Sequence, residues 1–152
     1  MSKKILYVDM DGVLVDFQSG INKLDLKTKS KYEGRFDEVP NIFSMMGPIS
    51  GALDAFKKIS KIYDTYILST SPWNNRTALQ DKQDWVIKYL GLYAEKRLIF
   101  SHHKNLNKGD YLIDDRDARG VKDFEGQHIW FGKSPFENWD KVLKYLCTEK
   151  SQ

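Results

Sequence analysis

The chain has 152 residues, carries 24 Lys and Arg against 21 Asp and Glu for a net charge of +3, and is 41% hydrophobic. That is the length of one ordinary domain with enough apolar content for a buried core; the small, interspersed charge argues against a nucleic-acid groove, and no apolar run approaches the roughly 18 residues of a membrane span. The single cysteine, Cys147, excludes an internal disulfide and a Cys-rich metal site, and Met-Ser-Lys-Lys leads into strand-like sequence without an apolar leader, so a cytoplasmic protein is expected.

In chain order, Ile5 to Val8 is a short β-prone run stopped by Asp9 and Gly12, which reads as a strand buried on both faces. Residues 17–48 show few strand signals, a basic cluster (Lys23, Lys27, Lys29, Lys31) and the turn pair Gly47-Pro48. They are expected to form a small cap of one or two short helices, with Phe36, Phe43, Met45 and Met46 as its apolar payload. From Ala52 to Tyr63 apolar residues recur at steps of three and four, the pattern of an amphipathic helix. Thr65 to Leu68 is a second strand that opens into the polar loop Ser69 to Pro72, and Asp81 to Leu90 is a helix stopped by Gly91. Arg97 to Phe100, Tyr111 to Ile113 and His128 to Phe131 are three further strands. Ser134-Pro135-Phe136-Glu137 has the form of a capping box, so a C-terminal helix is expected from there with Phe136, Trp139, Val142, Leu143 and Leu146 buried. Strands alternating with helices predict an α/β fold: a doubly wound, mainly parallel sheet with helices on both faces. The expected organisation is a single domain, 1–152, with a core of 1–16 and 49–152 and the cap at 17–48.

The chemistry gathers at the strand ends. Asp9 and Asp11 directly follow the first strand, and Asp114 and Asp115 follow the fourth in the same arrangement. In open α/β sheets the carboxyl edge is where ligands bind. Carboxylates crowded there repel one another unless a cation compensates, and an all-oxygen donor set with room for water suits a hard cation such as Mg²⁺ with a phosphate substrate. Ser69, Thr70 and Ser71 end the second strand with hydroxyls and amides suited to phosphoryl oxygens, and Lys104 lies after the third. Any one strand-terminal Asp is ordinarily a cap or turn residue; four acids, hydroxyls and a lysine together argue for a site.

These residues fall into a known pattern. Val8 to Leu14, Leu68 to Pro72, Lys104, and Leu112 to Arg116 resemble, in order, the four signatures of the haloacid dehalogenase-like phosphohydrolases. More narrowly, Asp9 to Phe17, Thr70-Ser71-Pro72, the ten-residue spacing from Lys104 to Asp114, Trp85 to Gly91 and Gly47 to Ala52 are similar to the 5′(3′)-deoxyribonucleotidases, over about Ile5 to Asp115. The resemblance implies that Asp9 is a nucleophile forming an aspartyl-phosphate, and that Asp11 is the general acid and base. It further implies that Thr70, Ser71 and Lys104 bind phosphate, and that Asp9, the Asp11 backbone carbonyl, Asp114 and Asp115 hold Mg²⁺. Which of Asp114 and Asp115 binds the metal directly stays open.

Phe17, Phe43 and Trp73 are candidates to sandwich a nucleobase, with simple cap-to-core packing as the competing reading for the two phenylalanines. Asn74, Asn75 and Arg76 are read first as helix-start residues, His102 and His103 as solvated, and Lys108 as a rival of Lys104 for the phosphate. The expected activity is Mg²⁺-dependent hydrolysis of a small-molecule phosphomonoester, a deoxynucleoside monophosphate, with no nucleic-acid polymer or membrane as partner and a homodimer as the candidate assembly. The alternatives are a phosphatase for another phosphoester such as a sugar phosphate, and a phosphoacceptor receiver or nucleotide-binding domain. A receiver carries its acceptor Asp after a later strand, which argues against it.

Overall fold

In a computed structural model, which describes residues 2–149, the first apolar run is the strand β1 (Ile5–Val8). The chain turns at Gly12, forms β2 (Val15–Asp16), and enters two short helices, α1 (Phe17–Ile21) and α2 (Leu26–Lys31). Both helices start on an aspartate: Asp16 accepts from the Ser19 amide at 3.3 Å and Asp25 from the Thr28 amide at 2.7 Å. Two 3₁₀ turns follow, Phe36–Glu38 and Ile42–Ser44, before β3 (Gly47–Pro48) pairs antiparallel with β2 and closes the insertion at its stem. Of this segment's apolar residues, Ile42, Phe43 and Met46 are buried, Phe36 and Met45 are half-buried, and Leu26 is exposed.

The rest alternates as expected: α3 (Ala52–Ile62), β4 (Asp64–Ser69), α4 (Ala78–Leu90), β5 (Leu98–Phe100), β6 (Tyr111–Asp114), β7 (Gln127–Trp130) and α5 (Trp139–Glu149). Among the described residues these strands form a parallel sheet in the order β5-β4-β1-β6-β7. The first strand is therefore central, and Val8 lies level with both Ile67 and Ile113. Everything that follows the C-terminal ends of β1, β4 and β6 meets at one edge.

Strand alternation divides the core between two faces. Leu6, Val8, Ile67, Ile113 and Ile129 face the buried stripes of α3, α4 and α5, while Tyr7, Leu68 and Leu112 face Val121 and Phe124. The second face is covered by short 3₁₀ turns, Lys104–Leu106 and Val121–Asp123, instead of long helices.

One expected boundary moves. The helix predicted from Ser134 begins at Trp139; residues 131–138 form turns, and Phe136 is only half-buried. The helix start is supplied by Asn138, whose side-chain oxygen accepts from the Lys141 amide at 3.0 Å. Placing the first turn there buries Trp139, Val142 and Leu146 on one stripe, and the Trp139 indole donates to the Val13 carbonyl at 2.8 Å.

Candidate active site

Asp9 continues β1 past its last paired residue, and its amide donates to the Ile113 carbonyl at 2.9 Å, which pins its backbone to the neighbouring strand. Asp114 ends β6 and Asp115 follows it, so carboxylate oxygens of Asp9, Asp114 and Asp115 come within 4.8 Å of one another. Strand β7 holds the backbone beneath them: the Trp130 indole donates to the Asp115 carbonyl at 3.0 Å and the Phe131 amide to the Asp114 carbonyl at 3.0 Å. Gly12 is required by the same crowding. Its φ of +81° suits glycine, and a Cβ at that position would overlap the Asp115 carboxylate.

Lys104 rises into this cluster from the turn after β5. Its buried ammonium donates to Asp9 Oδ1 at 2.9 Å and to Asp114 Oδ2 at 2.6 Å. Burial works against its charge, but the Asp9 and Asp114 carboxylates outweigh that and hold its pKa above the ordinary lysine value. Lys108, the rival, is exposed and meets the Tyr7 hydroxyl only through its backbone carbonyl.

One ammonium does not balance three carboxylates. Burial, with Asp114 as a like-charged neighbour, pushes the Asp9 carboxyl up despite Lys104. Burial, then the Asp9 and Asp114 charges, push Asp115 up to about 7. Asp115 Oδ1 is buried without a hydrogen-bond partner. A cluster that holds protons this tightly, with an unsatisfied oxygen and an all-carboxylate donor set, fits a hard divalent cation.

Around the cluster opens a cleft of about 430 Å³, lined by Asp11 and Thr70 from the core, Phe17 and Asp37 from the insertion, and Arg116 and Arg119 at its mouth. That volume suits a small ligand. Thr70 donates its hydroxyl proton to the Ser101 carbonyl at 2.7 Å, which ties the loop after β4 to the end of β5; Ser71 beside it is buried.

A family model described as 5′ nucleotidase, deoxy (Pyrimidine), cytosolic type C protein matches residues 27–142. A relative in Vibrio phage KVP40, provisionally named a 5′(3′)-deoxyribonucleotidase, is 55% identical over 97% of this chain and 86% of its own length. The chain belongs to this deoxyribonucleotidase family. A 5′(3′)-deoxyribonucleotidase of Bacillus subtilis is 27% identical over 97% of the chain and 96% of its own length. Among solved structures, a haloacid dehalogenase-like hydrolase from Streptococcus pneumoniae superposes with a TM-score of 0.63 at 14% identity, covering 95% of this chain and 98% of that one. A second, from Xanthomonas campestris, gives a TM-score of 0.53 at 12% identity, covering 99% and 98%. The fold is thus the haloacid dehalogenase-like α/β fold, and family membership makes the chain a hydrolase of phosphoric monoesters.

Of the three aromatics expected at the deoxyribonucleotidase substrate, only Phe17 lines the cleft. Phe43 is buried, edge-on to Phe17 at 6.0 Å, because the insertion turns it towards the core. Trp73 is 87% exposed and meets the His102 ring edge-on at 5.9 Å; the tight turn closed by the Asn75 amide on the Pro72 carbonyl at 3.1 Å carries it away from the cleft. Asn75 is no helix cap. It is buried, donates to the Asp37 and Val39 carbonyls at 2.8 and 3.0 Å, and accepts from the Thr77 amide at 3.1 Å, clasping the insertion to the loop after β4.

Sequence reading missed Lys82 altogether. It is fully buried on α4, with its ammonium 2.9 Å from each of Asp11 Oδ2, Ser69 Oγ and the Thr70 carbonyl. The signal was available: Lys82 falls between Ala78 and Trp85 on the stripe that carries the helix's apolar residues, where a lysine needs a partner. Among the described residues, no helix is long and apolar enough to cross a membrane.

Proposed function

We propose that the chain hydrolyses deoxynucleoside monophosphates to nucleoside and inorganic phosphate, with Asp9 as the nucleophile. The observation that carries the reading is the convergence of Asp9, Asp114, Asp115 and Lys104 on the edge of the central strand, beside a cleft whose mouth carries two arginines. The deoxyribonucleotidase names of the relatives supply the substrate class.

An Asp9 carboxylate oxygen attacks phosphorus in line with the departing ester oxygen, and that P–O bond breaks as the aspartyl-phosphate forms. Asp11 gives its proton to the leaving oxygen, then takes one from the water that attacks the aspartyl-phosphate; phosphate leaves and Asp9 is restored. Lys104 stabilises charge on the phosphoryl oxygens, and the Thr70 backbone amide with the Ser71 hydroxyl and amide hold those oxygens in place. Mg²⁺ held by Asp9, the Asp11 backbone carbonyl, Asp114 and Asp115 would offset the repulsion between an anionic nucleophile and an anionic substrate. Arg116 and Arg119 draw the dianion to the cleft, and Phe17, backed by Phe43, offers a flat face to the base. Residues 17–48 act as the cap of a single-domain enzyme whose core is 1–16 and 49–152. The proposal includes a cytoplasmic location and a homodimer, the latter read by light scattering.

The test is phosphate release from deoxy- and ribonucleoside 5′- and 3′-monophosphates and sugar phosphates, each with Mg²⁺ and with EDTA. A Mg²⁺-dependent preference for deoxynucleotides, with kcat/KM above about 10⁴ M⁻¹s⁻¹, is expected. Slow, flat turnover across the panel would overturn the substrate assignment, and faster turnover of a sugar phosphate would replace it.

A further inference from the structure

A lysine without solvent exposure is rare, and an ammonium that is fully buried must have its charge and its three hydrogens answered by the protein. Lys82 meets that requirement in full: its three donors go to Asp11 Oδ2, Ser69 Oγ and the Thr70 carbonyl, each at 2.9 Å. The Phe43 ring lies 4.6 Å from the same nitrogen and shields it on another side. No donor is left over for a phosphate. Lys82 therefore acts on other residues of the protein, and those residues are the acid after β1 and the start of the loop after β4.

We infer that Lys82 is a positioning residue for proton transfer: it fixes the Asp11 carboxyl in one rotamer beside the cleft and in register with the phosphate-binding loop. Two observations carry this. Asp11 belongs to the cleft wall, its Oδ2 accepts from the Lys82 ammonium, and its Oδ1 is buried without a hydrogen-bond partner, so Lys82 is what holds this carboxyl. The same ammonium grips Ser69 and Thr70, so the acid and the phosphate-binding loop are fixed relative to each other through one side chain. A carboxyl that moves a proton within a transition state gains from being held in one rotamer, because a misplaced acid forfeits the proton-transfer contribution of about 10²–10⁴-fold.

This inference rests on the assignment of Asp11 as acid and base under Proposed function. It predicts a leaving-group dependence that simple packing would not produce. A nucleoside leaves as a strongly basic alkoxide and needs a proton, whereas p-nitrophenolate is a good leaving group without one. In single-turnover experiments with Mg²⁺, Lys82→Met is expected to slow nucleoside release from a deoxynucleoside 5′-monophosphate by about 100-fold or more, and p-nitrophenol release from p-nitrophenyl phosphate by less than about threefold. Lys82→Gln, which keeps one donor, is expected to recover part of the nucleoside rate and serves as the variant of record if Lys82→Met does not fold by circular dichroism. Equal losses on the two substrates in a folded variant would overturn the inference and leave Lys82 a packing residue. Should the wild-type protein release no nucleoside, the substrate assignment fails instead, and the comparison is made between the alkyl phosphate it does cleave and p-nitrophenyl phosphate.

Discussion

At Asp9 the protein holds a carboxylate where water alone would keep it more readily charged. Burial and Asp114 push its pKa up against the pull of Lys104, so in the metal-free protein near neutral pH its charge opposes folding. Asp9→Asn removes that charge at constant shape. It should therefore leave the melting temperature in EDTA unchanged or higher, while turnover falls on the order of 10⁴-fold or more, as expected for loss of a nucleophile; a thermal melt and a steady-state assay read the two effects. Gly12→Ala works in the opposite sense. A Cβ would overlap the Asp115 carboxylate at a φ of +81°, so a loss of about 1–3 kcal/mol in denaturant unfolding is expected, together with weaker metal binding. Asp9, Asp11, Lys104, Asp114 and Asp115 could be picked out of the sequence because each follows a short apolar strand, and a strand's end fixes where the next residue stands. Lys82 could not be assigned the same way: its position on the helix stripe was visible, but its partners lie 71 and 13 residues away and only the fold brings them together.

At the scale of elements, the Asn75 amide clasps the insertion to the core alongside the Asn41 amide on the Thr77 hydroxyl and the Trp85 indole on the Met46 carbonyl. The Asn75 side chain bonds both the Asp37 and Val39 carbonyls and the Thr77 amide, and its bond to Val39 is buried from water. Asn75→Ala removes these bonds, though the Val39 carbonyl keeps the Ile42 amide, and should cost about 1–3 kcal/mol, with a rise in KM because Asp37 and Phe17 belong to the cleft wall; urea unfolding and a substrate titration measure both. The sequence suggested a helix cap here because asparagine in a polar loop ordinarily is one. The start of the last helix was misplaced for a related reason: Ser134 and Glu137 have the capping-box spacing, but the Phe136 amide closes a turn on the Lys133 carbonyl at 2.6 Å and Asn138 caps the helix at Trp139. Strand order and helix stripes were legible because hydrophobic period is a property of a few consecutive residues. Which aromatic faces the cleft is set by how the insertion folds back, and Phe43 and Trp73 show that adjacency to a motif does not decide it.

For the molecule as a whole, the acid cluster couples stability to pH and to a cation. Asp9 and Asp115 have folded-state pKa values above those of the unfolded chain, Asp115 at about 7 against an ordinary 3.8, so the folded state binds more protons. In EDTA their contribution to stability is fully present at low pH and is lost as pH rises from the ordinary carboxylate range towards 7. A bound cation takes the place of those protons, so its effect should grow over the same range. Saturating Mg²⁺ is expected to raise the melting temperature by about 5–10 °C near pH 7.5 and by clearly less near pH 5.5. An equal shift at both values would separate metal binding from these carboxylates.

The central claim, that phosphate passes through Asp9, has a direct reading. An acyl phosphate reacts with hydroxylamine to give a hydroxamate, so the enzyme is quenched with hydroxylamine during turnover of a deoxynucleoside 5′-monophosphate with Mg²⁺, and its peptides are analysed by mass spectrometry. The account predicts a substrate-dependent hydroxamate on Asp9 and none on Asp11, Asp114 or Asp115. Active enzyme that carries no label on Asp9, or carries it on another carboxylate, would contradict it.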